Sequence, residues 1–109
     1  MVCEPWQVVV VPFPFSDRTE AKKRPALVLS KRKFNQRGRS ILAMITTSVH
    51  EPWLGDSYLR DYAEAGLEVP CKVRLKLFTL DNRLILRVAG RLSVQDEKQV
   101  ADQLQANFA

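Results

Sequence analysis

Two short apolar segments with a charged loop between them constrain the fold of this chain most strongly. Residues 8–13 form an unbroken run rich in β-branched side chains, and residues 26–30 form a second run after three consecutive cations and Pro25. A short apolar run of this kind is typical of a strand that is buried on both of its faces. The opening of the chain therefore predicts two β-strands that hold a basic loop at one end.

The rest of the sequence continues this pattern and closes with one helix. Residues 40–48 predict a third strand whose apolar run gives way to hydroxyl side chains, and residues 57–62 predict a short, weaker one. Residues 72–78 alternate clearly, and residues 83–92 predict a last strand. Ser93 predicts the N-cap of a terminal helix. Its expected docking face is Val100, Leu104 and Phe108.

Many short strands with few crossovers favour a mainly β fold, either a small barrel or a strongly curved sheet, with a C-terminal helix. A length of 109 residues fits one domain, residues 1–109. No apolar run reaches the ~20 residues that span a bilayer, and the first residues do not have the pattern of a secretory signal. We therefore expect a cytoplasmic protein with no membrane contact and with Cys3 and Cys71 reduced. The sequence has no metal-binding motif, so neither a metal nor another cofactor is expected.

Basic residues are concentrated in one window of the sequence. Residues 18–39 hold nine of the seventeen lysines and arginines and only one acidic residue, Glu20. This polarity favours a polyanionic partner such as a nucleic acid. A solvated surface that keeps the protein in solution is the alternative that charge alone leaves open.

Arg24 is the first candidate for a functional role. Pro25 restricts it to an extended conformation, so the guanidinium has a fixed origin from which it could bind a phosphate with two hydrogen bonds. Lys22 and Lys23 precede it and could add phosphate contacts. The alternative is a surface arginine in a salt bridge with Asp17 or Glu20.

Hydroxyl side chains at the end of the third strand are the second candidate. Thr46, Thr47 and Ser48 could hold a phosphate oxygen or orient a ribose hydroxyl, although threonine and serine are also common at strand ends. His50 follows closely and could act as a general base, or it could simply be an exposed loop residue.

The predicted strand at residues 72–78 offers a third set of cations. Lys72, Arg74 and Lys76 alternate with apolar residues and would lie about 7 Å apart, close to the phosphate spacing of an extended single strand. Thr79 and Asp81 follow; Asp81 either caps a turn or orients the neighbouring basic groups. Trp6 and Trp53 could stack on bases or fill the core.

Several of these segments, taken together and in order, resemble the PemK/MazF family of toxins. The resemblance is carried by VVVVPFPFSD, KKRPALVLS, ILAMITTS, AEAGLEVPCKVRLKLFTLDNRLI and VAGRLS, which extend over nearly the whole chain. It implies a small SH3-like β barrel that forms a homodimer. It also implies a metal-independent endoribonuclease that cuts single-stranded RNA, often mRNA, at short motifs and is inhibited by a cognate antitoxin.

The resemblance also implies roles for two residues. Arg24 matches the arginine of the family's Arg-Pro motif, and Thr46 matches the threonine at the end of the third strand. Cleavage would proceed by attack of the ribose 2′-OH, leaving a 2′,3′-cyclic phosphate and a 5′-OH. Arg24 would stabilise the charge on the transition state, and Thr46 would hold a phosphate oxygen or the attacking hydroxyl.

The sequence departs from the family pattern at two places. Trp6 and Gln7 stand where relatives usually have Gly-Asp, and Phe78 stands where some members have the arginine of an Arg-Thr-x-Asp block. Two functions other than that of a ribonuclease are therefore kept as alternatives. One is a non-catalytic toxin of the same fold that binds a protein such as gyrase, and the other is an RNA-binding module without nuclease activity.

Overall fold

A computed structural model describes residues 1–14 and 21–109. Six strands and two helices occur in these residues, with a 3-10 turn at Asn82–Leu84 between the last two strands. The strands are β1 (Gln7–Phe13), β2 (Lys22–Val28), β3 (Arg39–Thr47), β4 (Ser57–Tyr58), β5 (Cys71–Asp81) and β6 (Arg87–Arg91), and the helices are α1 (Arg32–Asn35) and α2 (Val94–Asn107).

The strands form one antiparallel sheet with the order β4-β5-β3-β2-β1-β6. The sheet curls into a half-barrel, and α2 follows its last strand. This arrangement confirms the predicted mainly β fold with a strongly curved sheet and a C-terminal helix.

Apolar clusters cover both faces of β1. Val8 packs in one cluster with Leu27, Ala43 and Val73, whereas Val9 and Val11 pack in the other. Because successive side chains of a strand point to opposite faces, an unbroken apolar run is needed where both faces are buried. The prediction of a doubly buried first strand is confirmed.

β5 is longer and less regular than its alternation predicts. The pairing with β3 shifts between Ala43, which lies opposite Leu77, and Met44, which lies opposite Arg74. Of the apolar face predicted for this strand, Val73 is buried, whereas Leu77 is exposed. Lys76, which lies within the irregular part of the strand, is exposed at the surface.

α2 begins as predicted, with the hydroxyl of Ser93 accepting a hydrogen bond from the Asp96 amide at 3.3 Å. Asp96 lies in the first turn of the helix, where its charge faces the positive end of the helix dipole. Its buried carboxylate also accepts hydrogen bonds from the backbone amides of Arg60 and Asp61, at 3.0 and 2.9 Å. Of the predicted docking stripe, Val100 is fully buried and Phe108 is exposed beyond the end of the helix.

The basic window of the sequence is divided between the two ends of the sheet. The strand β2 begins with the cations at residues 22–24 and ends at Val28. The cations of residues 31–39 therefore lie at its opposite end. At that end the side chain of Asn35 is buried and donates to the carbonyls of Cys3 and Ser30, at 2.8 and 3.0 Å. The charges that sequence reasoning treated as one group therefore serve two separate surfaces.

Candidate functional site

A cleft opens where β2 and β3 cease to pair. Their register runs from Val28 opposite Leu42 to Ala26 opposite Met44 and ends there. Arg24 and Thr46 lie just beyond this point and both line the cleft, whose volume is about 390 Å³. The curvature of the sheet and the end of the pairing therefore bring the two principal candidates to one place.

Arg24 is exposed at the start of β2, with its guanidinium carbon 5.7 Å from the centre of the Phe13 ring. Within the described residues it forms no ion pair, and its side chain is exposed at the cleft. Asp17 and Glu20, the alternative partners, lie outside the described residues. Lys23 lines the same cleft, and Lys22 is exposed opposite Phe13.

Thr46 and His50 form a hydrogen-bonded pair on the other side of the cleft. Thr46 Oγ1 lies 2.5 Å from His50 Nδ1, and both residues line the cleft. The turn that brings them together is closed by a hydrogen bond from the His50 amide to the Thr47 carbonyl, at 3.2 Å. Thr47 also lines the cleft, whereas the Ser48 amide donates to the Pro70 carbonyl at 3.0 Å.

A second, smaller cleft of about 180 Å³ adjoins the first, and Arg24, Ile45 and Thr46 line both. Its other walls include Lys76 and Trp53, and the Trp53 ring lies 4.6 Å from the Arg74 guanidinium carbon. Trp53 is about half exposed, so one of the two tryptophans considered for base stacking lies at this surface. Trp6 instead packs against the core.

The predicted stripe of three phosphate-binding cations on β5 is wrong for Lys72. Its side chain is completely buried, and its ammonium nitrogen lies 3.2 Å from Asp56 Oδ2. Arg74 is largely buried as well and donates to both oxygens of Asp56, at 3.2 and 3.0 Å. Alternation placed these cations on the correct side of the strand, but the loop between β3 and β4 covers them there. Lys76 alone remains as an exposed cation of that set.

Asp56 is the residue that sequence reasoning missed, and only its place after Gly55 marks it as a turn residue. Its carboxylate joins the two cations, which in turn hold the loop that carries His50. Lys72 donates to the His50 carbonyl, and Arg74 donates to the Glu51 carbonyl. We call Asp56, Lys72 and Arg74 the buried ion cluster.

Burial raises the pKa of Asp56, but hydrogen bonds from Arg74, from the Trp53 amide and from Lys72 outweigh it. The net result is a pKa below the usual value for an aspartate. The carboxylate is therefore ionised at neutral pH and compensates the two buried cations.

Gly66 fixes the opposite wall of the first cleft. It has a φ of +81°, and a Cβ built on it would lie 2.2 Å from the Ala89 carbonyl oxygen. No side chain fits there, so the backbone of residues 65–69 can lie directly against β6. Leu67, Glu68 and Val69 thereby become part of the cleft lining.

Thr79 and Asp81 are not brought to this site. In the β3–β5 pairing they lie opposite Ile41 and Arg39, roughly 17 and 24 Å along the strand from Thr46. Asp81 accepts a hydrogen bond from the Arg83 amide at 2.9 Å, as expected for a turn cap, and it pairs with the Arg83 side chain. Phe78 packs against the core at the same end.

The geometry suits an anionic ligand that enters from solvent. Lys23, Arg24 and Arg87 supply positive charge to the first cleft, and Thr46 and His50 supply further hydrogen-bonding groups opposite Arg24. Guanidinium and hydroxyl groups together can bind the oxygens of a phosphodiester. Within the described part of the chain, no three His, Cys, Asp or Glu side chains come together as metal ligands, and no helix is long and apolar enough to cross a membrane.

Comparison with known proteins identifies a family that matches almost the entire chain. A family model described as PemK-like, MazF-like toxin of type II toxin–antitoxin system matches residues 4–108. None of the curated protein sequences matches the chain.

Solved structures match over nearly the whole length. The Mycobacterium tuberculosis toxin MazF-mt6 has 20% identity and a TM-score of 0.73, covering 92% of this chain and 93% of its own. MazF in the MazE–MazF complex of Deinococcus radiodurans has 18% identity and a TM-score of 0.75, covering 97% and 95%. An endoribonuclease in complex with its cognate antitoxin from Mycobacterial species has 13% identity and a TM-score of 0.73, covering 95% and 92%. At these identities the solved structures support the fold.

Proposed function

Because the chain belongs to the family of PemK-like, MazF-like toxins of type II toxin–antitoxin systems, we propose that it is an endoribonuclease that cuts single-stranded RNA. Its substrate would be mRNA, cut at short sequence motifs without a metal ion. The observation that carries the proposal is the position of Arg24 and Thr46 on the two sides of one open cleft. This cleft lies beyond the point at which β2 and β3 stop pairing.

In the proposed reaction the ribose 2′-OH attacks the adjacent phosphorus, and the products carry a 2′,3′-cyclic phosphate and a 5′-OH. Arg24 would bind the phosphate oxygens as negative charge develops on them. Its guanidinium suits this role because it has no ion pair within the described residues. Thr46 would donate its hydroxyl hydrogen to a phosphate oxygen. Preorganised donors of this kind require little rearrangement when the charge forms.

Two protein partners belong to the same proposal. Two of the solved relatives are described in complexes with MazE or with a cognate antitoxin, which supports an antitoxin partner for this chain. We also expect a homodimer, as the family resemblance implies. Lys22, Lys23 and Lys76 would contact the RNA backbone beside the cleft, as would the hydroxyl of Thr47.

The test is cleavage of a long single-stranded RNA in EDTA by the purified protein, with the product ends mapped. Discrete cuts with 5′-OH ends are expected, and Arg24→Ala should cut about 10²–10³-fold more slowly, since one charge-stabilising donor is lost. Val49→Ala, at an exposed apolar residue next to the cleft, is the matched control and should cut like the wild type.

If the wild type binds RNA but leaves it intact, the proposal fails in favour of the RNA-binding module. If it neither binds nor cuts RNA, the non-catalytic toxin that binds a protein is favoured.

A further inference from the structure

His50 lies in the first cleft with one ring nitrogen held by the protein and the other available. Nδ1 is 2.5 Å from Thr46 Oγ1, and in the described part of the structure Nε2 has no hydrogen-bond partner. The side chain is exposed, so Nε2 can reach a ligand in the cleft. If Nδ1–H donates to Thr46, the hydroxyl hydrogen of Thr46 remains free to bind a phosphate oxygen.

The buried ion cluster holds the backbone of the loop at His50. Lys72 donates to the His50 carbonyl, and Lys72 is itself held by Asp56 at 3.2 Å. Arg74 donates to the next carbonyl, that of Glu51. A lysine is almost never fully buried unless it is paired, and this paired lysine also donates to the carbonyl of His50. It restricts where the imidazole can lie.

The proposed reaction requires a group that protonates the departing 5′-oxygen. The described titratable side chains that line the cleft are Lys23, Arg24, His50, Glu68, Cys71 and Arg87. Lysine and arginine are weak acids, and burial raises the pKa of the Cys71 thiol. An ionised Glu68 can accept a proton but has none to donate. Imidazole is the side chain that most often serves as a general acid or base in proteins, and His50 supplies the imidazole of this lining.

We propose that His50 is the general acid of this cleavage, an inference that rests on the proposed function. As the 2′-oxygen bonds to phosphorus, its proton passes to an acceptor in the cleft, for which the carboxylate of Glu68 is suited. The bond from phosphorus to the 5′-oxygen breaks with its electron pair on oxygen, and the Nε2 proton of His50 passes to that oxygen. His50 recovers a proton from water, and Glu68 releases one, before the next turnover.

The test compares two oligonucleotides cut at one bond chosen from the sites mapped on long RNA. One carries the ordinary 5′-oxygen at that bond and the other carries sulfur in its place, because a thiolate leaves without being protonated. His50→Ala should lose about 10²–10⁴-fold in kcat on the oxygen substrate. On the sulfur substrate it should match the wild type.

Val49→Ala, in the same loop, should behave like the wild type on both substrates. Equal losses of His50→Ala on the two substrates would overturn the assignment, because a positional defect or a lost base would affect both. Undiminished cleavage of the oxygen substrate by His50→Ala would overturn it as well. A wild type that cuts neither the oligonucleotides nor long RNA would instead refute the proposed function itself.

Discussion

The cations at the start of β2 and those on β5 have the same chemistry but opposite environments. The first set precedes apolar strand residues and the second alternates with them, and both sets were expected to contact phosphates. Arg24 and Lys23 are exposed and line the cleft, whereas Lys72 and Arg74 are enclosed with Asp56. The difference arises from what covers each strand: the β3–β4 loop folds over β5 and supplies a carboxylate. A cation is available for a ligand only where the fold leaves it without an internal partner.

The largest effect that this comparison predicts is on stability, for Asp56→Asn. The substitution keeps the shape of the side chain but removes the charge that compensates Lys72, whose side chain is fully buried. Breaking a buried pair by removing one partner typically costs about 3–5 kcal/mol in the free energy of unfolding. Urea unfolding followed by circular dichroism measures the loss.

The matched control is Arg24→Ala, because Arg24 is exposed and in the described structure has no ion pair. Its free energy of unfolding should change by no more than about 0.5 kcal/mol. The contrast between the buried and exposed cations would be refuted if both variants unfolded at the same urea concentration.

The sequence predicted the strands better than it predicted the environment of their charges. The run at residues 8–13 favours a doubly buried strand, because its four consecutive valines place apolar side chains on both faces. The period of two at residues 72–78 also placed Lys72 and Arg74 on one side correctly. It carries no information about a loop that is distant in sequence, and for that reason Asp56 and the burial of Lys72 could not be foreseen.

The candidate site was predictable to the extent that it is local. Arg24 with Pro25 and the hydroxyl run that begins at Thr46 are visible in the sequence, and the antiparallel order of β2 and β3 brings their ends together. The contact between His50 and Thr46 depends on the turn between them, so the sequence left open whether His50 has a functional role. Thr79 and Asp81 were grouped with the basic strand because they follow it directly. An extended strand carries them to the far end of the sheet.

An intermediate effect is expected on RNA affinity. Lys23→Glu with Lys76→Glu should weaken binding of a single-stranded oligonucleotide that contains 2′-deoxy sugars and so resists cleavage. Each lost phosphate contact should reduce the slope of log K against log salt by about 0.7, so the pair should reduce it by about 1.4. Fluorescence anisotropy across a series of salt concentrations gives the slope.

The same charge change at the other end of the sheet provides the control. Lys33→Glu with Arg37→Glu replaces two exposed cations near α1, outside both clefts that Arg24 lines. These two variants should have the same net charge but different slopes. Equal slopes would show that the overall charge attracts the RNA and that the cleft end has no special part in binding.

The smallest effect concerns an ion pair that is not enclosed, between Asp81 and Arg83. Hydrogen bonds from the Arg83 side chain and amide lower the pKa of Asp81 from 3.8 to about 2. A lowered pKa in the folded state means that the ionised carboxylate stabilises the protein above pH 4, and that this contribution disappears as the pH falls towards 2. In Asp81→Asn the cap to the Arg83 amide can persist, but the charge is lost. The urea midpoints of the two proteins should therefore differ slightly at pH 7 and converge between pH 4 and pH 2. A difference that stays constant across this range would mean that the carboxylate acts through its shape alone, and that a paired cation at the surface contributes nothing by its charge.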